Sequence, residues 1–171
     1  MKKHMIIGVM GGGQVKQADA DDAFRLGRLI AQHGWVLLNG GRNCGIMEAS
    51  ARGAKQAGGL TIGILPDEDT AGASDAIDIP IVTGMGSARN AINVLSSDIV
   101  VACSGGAGTL SEIALALKAG KTVVLLNMDP GSAWEAYRKA GRLLDARDPE
   151  HAIELIKIHT GFEDSRGQGF K

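Results

Sequence analysis

Six short apolar runs divide the chain: Met5–Met10, Trp35–Asn39, Leu60–Leu65, Ile79–Thr83, Asp98–Cys103 and Thr122–Asn127. They are continuous and rich in Val, Ile and Leu rather than alternating. That is how parallel strands buried on both faces read. Between them the pattern changes to helical spacing, as where Ala88, Ala91, Ile92 and Leu95 share one face. Helices are predicted over Asp19–His33, Ile46–Ala57, Ser87–Ser96, Thr109–Ala119, Gly131–Ala140 and Pro149–His159. Asp19, Asp21 and Asp22 suit a helix start, and Gly34, Gly58-Gly59 and Gly120 suit helix stops. Pro80 inside the fourth run predicts a strand that starts late or carries a bulge. Arg142–Asp145 is a candidate seventh strand at an edge.

Strand and helix alternate with short connections. The predicted fold class is therefore α/β: a three-layer, doubly wound, mainly parallel Rossmann-like sheet in a single domain. The expected boundaries are a Rossmann-like binding domain over residues 1–162 and a flexible C-terminal tail over residues 163–171. The N-terminal apolar run is too short for a signal peptide, and no run is long enough to span a bilayer. Cys44 and Cys103 form no CxxC and are too few for a disulfide scaffold, which fits a reducing cytoplasm and argues against a structural metal. With 18 basic and 19 acidic residues, and few aromatics, nothing points to nucleic acid or to a membrane surface.

Composition adds one anomaly. The chain holds 25 glycines in 171 residues, roughly double the usual share of about 7 %. They cluster where the predicted strands end. Gly11-Gly12-Gly13 follows the first, Gly40-Gly41-Arg42 the second, Gly84-Met85-Gly86 the fourth, and Gly105-Gly106-Ala107-Gly108-Thr109 the fifth. Ligands of open α/β sheets bind outside these carboxyl ends, where glycine lets backbone approach closely. The fifth cluster leads into a helix whose orphan N–H groups suit an anion. Thr109 and Ser111 are read as caps of that helix or as donors to a phosphate. Arg89 and Glu112 are each predicted on a first helical turn, on neighbouring strands four and five, pointing into one crevice. Arg42 is a further cation. An Arg89–Glu112 ion pair with a purely structural role is the alternative.

No stretch fits GxxxxGK[ST], and GxGxxG also fails. Strand two ends in Asn39, where a ribose-binding acid would stand. The four histidines and Met47, Met85 and Met128 read as surface, capping or packing residues. Cys44 and Cys103 read as buried thiols.

Arg89, Ser97-Asp98 and the run Ser104-Gly105-Gly106-Ala107-Gly108-Thr109-Leu110-Ser111-Glu112 resemble the PGGxGTxxE signature of the Lonely Guy superfamily. Its enzymes are phosphoribohydrolases of nucleoside 5′-monophosphates, and the resemblance implies catalytic roles for Arg89 and Glu112. The chain departs from that pattern at Ser104, where the signature has proline, and at Asn90, where it has lysine. The stretches IIGVMG (6–11), HGWVLLNGGR (33–42), AGGLTIGILP (57–66), SDAIDIPIVTGMGSAR (74–89), INVLSS (92–97) and EIALALKAGKTVVLL (112–126) are similar to the molybdenum cofactor carrier family. This resemblance spans roughly residues 5–160. It implies a homotetramer, or a dimer, that binds and protects a phosphate-bearing pterin dithiolene without catalysis and hands it to a recipient molybdoenzyme. The implied binding set is Gly11, Gly12, Gly40, Gly41, Arg42, Gly84, Ser87, Arg89, Ser104, Gly105, Gly106, Ala107, Gly108, Thr109 and Glu112, with Cys103, Ser104 and Arg89 as candidates for the molybdenum end. The expectation leans away from an enzyme; a phosphoribohydrolase and a nucleotide-sensing module are the alternatives.

Overall fold

Seven strands pair in parallel: β1 (Ile6–Met10), β2 (Val36–Asn39), β3 (Thr61–Leu65), β4 (Ile79–Val82), β5 (Ile99–Ala102), β6 (Val123–Leu126) and β7 (Leu143–Ala146). Their order is β4-β3-β2-β1-β5-β6-β7. The helices among the described residues are α1 (Gln17–Gln32), α2 (Gly45–Gln56), α3 (Asn90–Ser96), α4 (Ala107–Lys118), α5 (Glu135–Lys139) and α6 (Pro149–Thr160). This computed structural model describes residues 4–161. The last residue of the expected domain and the expected tail over 163–171 lie outside the described residues.

The central strands are apolar throughout because both faces are covered. Ile7 and Val9 of β1 join Leu26 and Ile30 of α1, Leu37, Val101 and Ile153 in one core. Met10 of the same strand turns to the opposite core, with Leu38, Val100, Ile113, Leu117 and Val123. Burying each such Leu, Ile or Val contributes about 1.5–3 kcal/mol. Among the described residues no helix is long and apolar enough to cross a membrane. The predicted seventh strand is present and closes the sheet at the β7 edge.

Three expectations need correction. β4 is not buried on both faces: all four of its residues are exposed, because it is the other edge. Pro80 pairs opposite Gly63 with no late start, since a strand edge tolerates a residue without an N–H. β4 and β5 are not neighbours either; β3, β2 and β1 lie between them. The chain leaves β4, forms a 3₁₀ turn over Gly86–Arg89, and returns through α3 to pair β5 with β1. That reversal puts the topological switch point between β1 and β5. The start of α1 also differs: Lys16 is its N-cap and Asp19 lies in the first turn, where its charge meets the helix dipole.

On one face α1 and α2 touch backbone to backbone. A Cβ at Gly27 would overlap the Ser50 carbonyl oxygen, and one at Gly53 would overlap that of Phe24. Gly27→Ala should therefore lower stability by about 1–3 kcal/mol, as overpacking does, despite the better helix propensity of alanine. Urea denaturation followed by far-UV circular dichroism checks this.

Candidate functional site

The carboxyl ends of β1, β2 and β5 meet through backbone. Gly12 N–H donates to the Ser104 carbonyl at 2.9 Å, and the Gly12 carbonyl accepts from Ile46 N–H at 3.0 Å. A Cβ at Gly12 would stand 3.2 Å from the Gly105 Cα, and one at Gly11 would press into Ile46 at 2.5 Å. Gly11, Gly12, Ser104 and Gly105 thus converge. Gly45 opens α2 at φ +53°, and a Cβ there would overlap the Gly12 oxygen, so only glycine serves.

The Gly40-Gly41 turn is held by a residue that sequence reasoning passed over. Asn39 is buried; its Nδ2 donates to the Met47 carbonyl at 2.9 Å and to Ser50 Oγ at 3.1 Å, while Oδ1 accepts from Gly41 N–H at 2.8 Å. The position at which a ribose-binding acid was missing carries a structural amide instead.

At the end of β5, Gly106 is the N-cap of α4 and contributes no side-chain cap. The first turn, Ala107-Gly108-Thr109, therefore presents N–H groups without intrahelical acceptors, at the positive end of the dipole. Thr109 is not the N-cap. It lies buried in the third helical position, where its Oγ1 occupies the space a Gly105 Cβ would need. Ser111 Oγ donates back to the Gly108 carbonyl at 2.6 Å and accepts from Asn90 Nδ2 at 3.0 Å.

Arg89 and Glu112 do meet, although their strands are far apart. Arg89 leaves the 3₁₀ turn and runs inward over β2, so that a Cβ at Gly40 would stand 2.6 Å from its Nη2. Glu112 lies on the second turn of α4, not the first. Arg89 Nη1 is 3.6 Å from Glu112 Oε1, with side chains 11 % and 7 % exposed. Arg89 Nη1 also donates to Asn90 Oδ1 at 2.9 Å, and Asn93 Nδ2 donates to Glu112 Oε1 at 2.9 Å. Burial lowers the Arg89 pKa, against the attraction of Glu112, and nearby Arg42 lowers it further. Burial likewise raises the Glu112 pKa, against the Asn93 hydrogen bond and Arg89. Both partners shift toward their neutral forms, so their mutual attraction does not offset desolvation. Arg89 Nε and Asn93 Oδ1 are buried without a hydrogen-bond partner. Asn93 was also missed; its signal was the i,i+4 spacing from Arg89 across the start of α3.

The remaining predicted residues sit further out. Arg42 is half exposed and engages Asp67 through Nε at 3.2 Å and Nη2 at 2.5 Å. Gly84 and Ser87 stay on the exposed β4–α3 crossover, with Gly84 N–H donating to the Asp67 carbonyl at 2.9 Å. Cys103 is buried, and its thiol is pushed up to about 12, mainly by burial. Met85 is exposed rather than packed.

The sequence pattern of the SLOG cluster4 family matches residues 4–153. The chain belongs to the SLOG cluster4 family. Solved structures similar to it include the molybdenum cofactor binding protein of Rippkaea orientalis, 55 % identical with a TM-score of 0.88, covering 94 % of this chain and 99 % of that one. The molybdenum cofactor carrier protein of Chlamydomonas reinhardtii is 47 % identical with a TM-score of 0.85, covering 94 % and 100 %. A more distant relative is the cytokinin riboside 5′-monophosphate phosphoribohydrolase of Mycobacterium tuberculosis, 36 % identical over 100 residues. That match covers 53 % of this chain and 50 % of the relative.

The strain at Glu112 has a pH signature. Its folded pKa lies above the ordinary value of 4.5, so ionising it costs native stability as pH rises past that value. Glu112→Gln should gain stability relative to the parent between pH 4 and pH 7. Paired urea titrations at the two pH values check the sign; a constant difference would mean Glu112 is solvated.

Proposed function

We propose that this protein binds, protects and carries molybdenum cofactor, with the cofactor as cargo rather than as a catalytic group. The observation that carries the proposal is the buried Arg89 guanidinium at the rim of the glycine cradle, with Nε unpartnered and an ion pair that does not offset its burial. An oxyanion supplies the missing acceptor through a charge-assisted hydrogen bond. The phosphate end fits the first turn of α4, where Gly105, Gly106, Ala107, Gly108 and Thr109 provide backbone donors and Arg89 a cation. Gly11, Gly12, Gly40, Gly41 and Ser104 form the adjoining wall, and Arg42 can leave Asp67 to add a second cation. Gly84 and Ser87 set the path of the crossover that delivers Arg89. Support comes from the relatives named as molybdenum cofactor binding or carrier proteins at 47 % and 55 % identity.

Once delivered to a recipient molybdoenzyme, the cofactor supplies redox chemistry there; the residues of this chain hold it and exclude water. The free thiols Cys44 and Cys103 suit a reducing cytoplasm. Ile79, Ile81 and Val82 on β4 and Met85 just after it are exposed, and this apolar side suits self-association into a dimer or tetramer.

Loading the purified protein with cofactor and measuring transfer to a cofactor-free molybdoenzyme tests the reading. The protein should retain the cofactor and donate it; absence of both retention and protection would overturn it. Arg89→Ala should weaken retention by about 1.5–3 kcal/mol, the range for a hydrogen bond to a charged group. Unchanged retention would make Arg89 structural.

A phosphoribohydrolase activity is the second reading. The close, desolvated Arg89–Glu112 pair favours it, because a carboxyl of raised pKa suits proton transfer to a departing base. Release of free base from AMP, abolished by Glu112→Ala, would establish it. Sensing of a nucleotide without turnover would appear as AMP binding with no base released.

A further inference from the structure

The α1–α2 contact at Gly27 and Gly53 lies partway along both helices, and a cleft of about 610 Å³ opens on its N-terminal side. Its walls come from the β1–α1 loop, the first two turns of α1, the β2–α2 loop and the start of α2. Gly13 lines this cleft, while its neighbour Gly12 packs against Gly105. The cleft therefore adjoins the glycine cradle across one strand of backbone. Its charged groups are Asp21, Glu48 and Arg52. Phe24 contributes a half-buried aromatic ring. Glu48, in the first turn of α2, has Oε1 3.9 Å from Arg52, while Oε2 is buried and accepts no hydrogen bond. Asp21 is a second carboxylate, already engaged by Gln17 Nε2 at 2.8 Å. A buried carboxylate oxygen without a donor is costly unless a ligand supplies one.

We propose that this cleft holds the flat ring end of the ligand. The ring would be a heterocycle whose edge presents adjacent N–H and NH₂ donors, such as the 2-amino-4-oxopyrimidine edge of a pterin. Glu48 accepts both donors and Phe24 covers one ring face. The inference rests on the carrier reading and deepens it. The Glu48 side takes the donor edge and the Arg89 side takes the anionic end.

The probe is 6-hydroxymethylpterin, which has neither phosphate nor molybdenum, titrated into the ligand-free protein and followed by fluorescence polarisation. Saturable binding is expected. Glu48→Gln should weaken it by about tenfold, the difference between a charged and a neutral acceptor. Phe24→Leu should weaken it too, with unchanged circular dichroism showing an intact fold. Adenosine, which lacks the donor pair, should not compete. No saturable binding, insensitivity to Glu48→Gln, or equal competition by adenosine would overturn the assignment. Parallel cofactor loading separates the two readings. Cofactor retention that depends on Arg89, without pterin binding, removes the cleft assignment and keeps the carrier. Pterin binding that depends on Glu48, without cofactor retention, removes the carrier and keeps the cleft.

Discussion

Gly12 is hydrogen-bonded in two directions at once, to the loop after β5 through its N–H and to the start of α2 through its carbonyl. Those two bonds tie the carboxyl ends of β1, β2 and β5 into one surface. Each neighbour must be glycine or must turn its side chain away, because the backbones meet closely at Gly12, Gly45 and Gly105. Part of the raised glycine content follows from this constraint. A side chain at any of these points would push the loops apart and separate the α4 N-terminus from the β2 turn.

Around that backbone surface the protein places polar groups on both faces of the sheet. Arg89, Asn90, Asn93 and Glu112 form a buried polar group on the α3–α4 face, while Glu48 and Phe24 border the α1–α2 face. Neither group is fully satisfied internally, since Arg89 Nε, Asn93 Oδ1 and Glu48 Oε2 lack partners. Buried polar atoms in folded proteins are paired in the great majority of cases. Their clustering on both sides of the glycine surface makes this edge, and not the packed core, the place where the fold retains unspent binding capacity.

The alternation of strands and helices was readable because central strands covered on both sides must be apolar throughout, and Gly34, Gly58 and Gly120 mark helix ends. The position of β4 was not. An edge strand with an exposed apolar face has the same run of letters as a buried one, and because consecutive strands are usually adjacent the sequence pattern puts β4 beside β5. The meeting of Arg89 and Glu112 was correct for another reason: the crossover returns Arg89 across β3 and β2 to the switch point. Asn39 and Asn93 were unreadable as site residues because asparagine is ordinarily exposed, and only the fold shows them buried. The glycine clusters were readable because four of them fell at strand ends, a regularity that turns alone do not produce.

The crossover after β4 joins an exposed apolar edge to a buried polar group. Its first residues continue an exposed apolar edge, and its fourth 3₁₀ residue, Arg89, reaches the buried polar group. A displacement of this segment at the edge would also move Arg89. Under the proposed carrier function, an assembly that shifted the segment would change affinity for the cargo by some factor, and the cargo would change the assembly equilibrium by the same factor. In that reading the stretch from Gly84 to Asn93 is the arm of the balance.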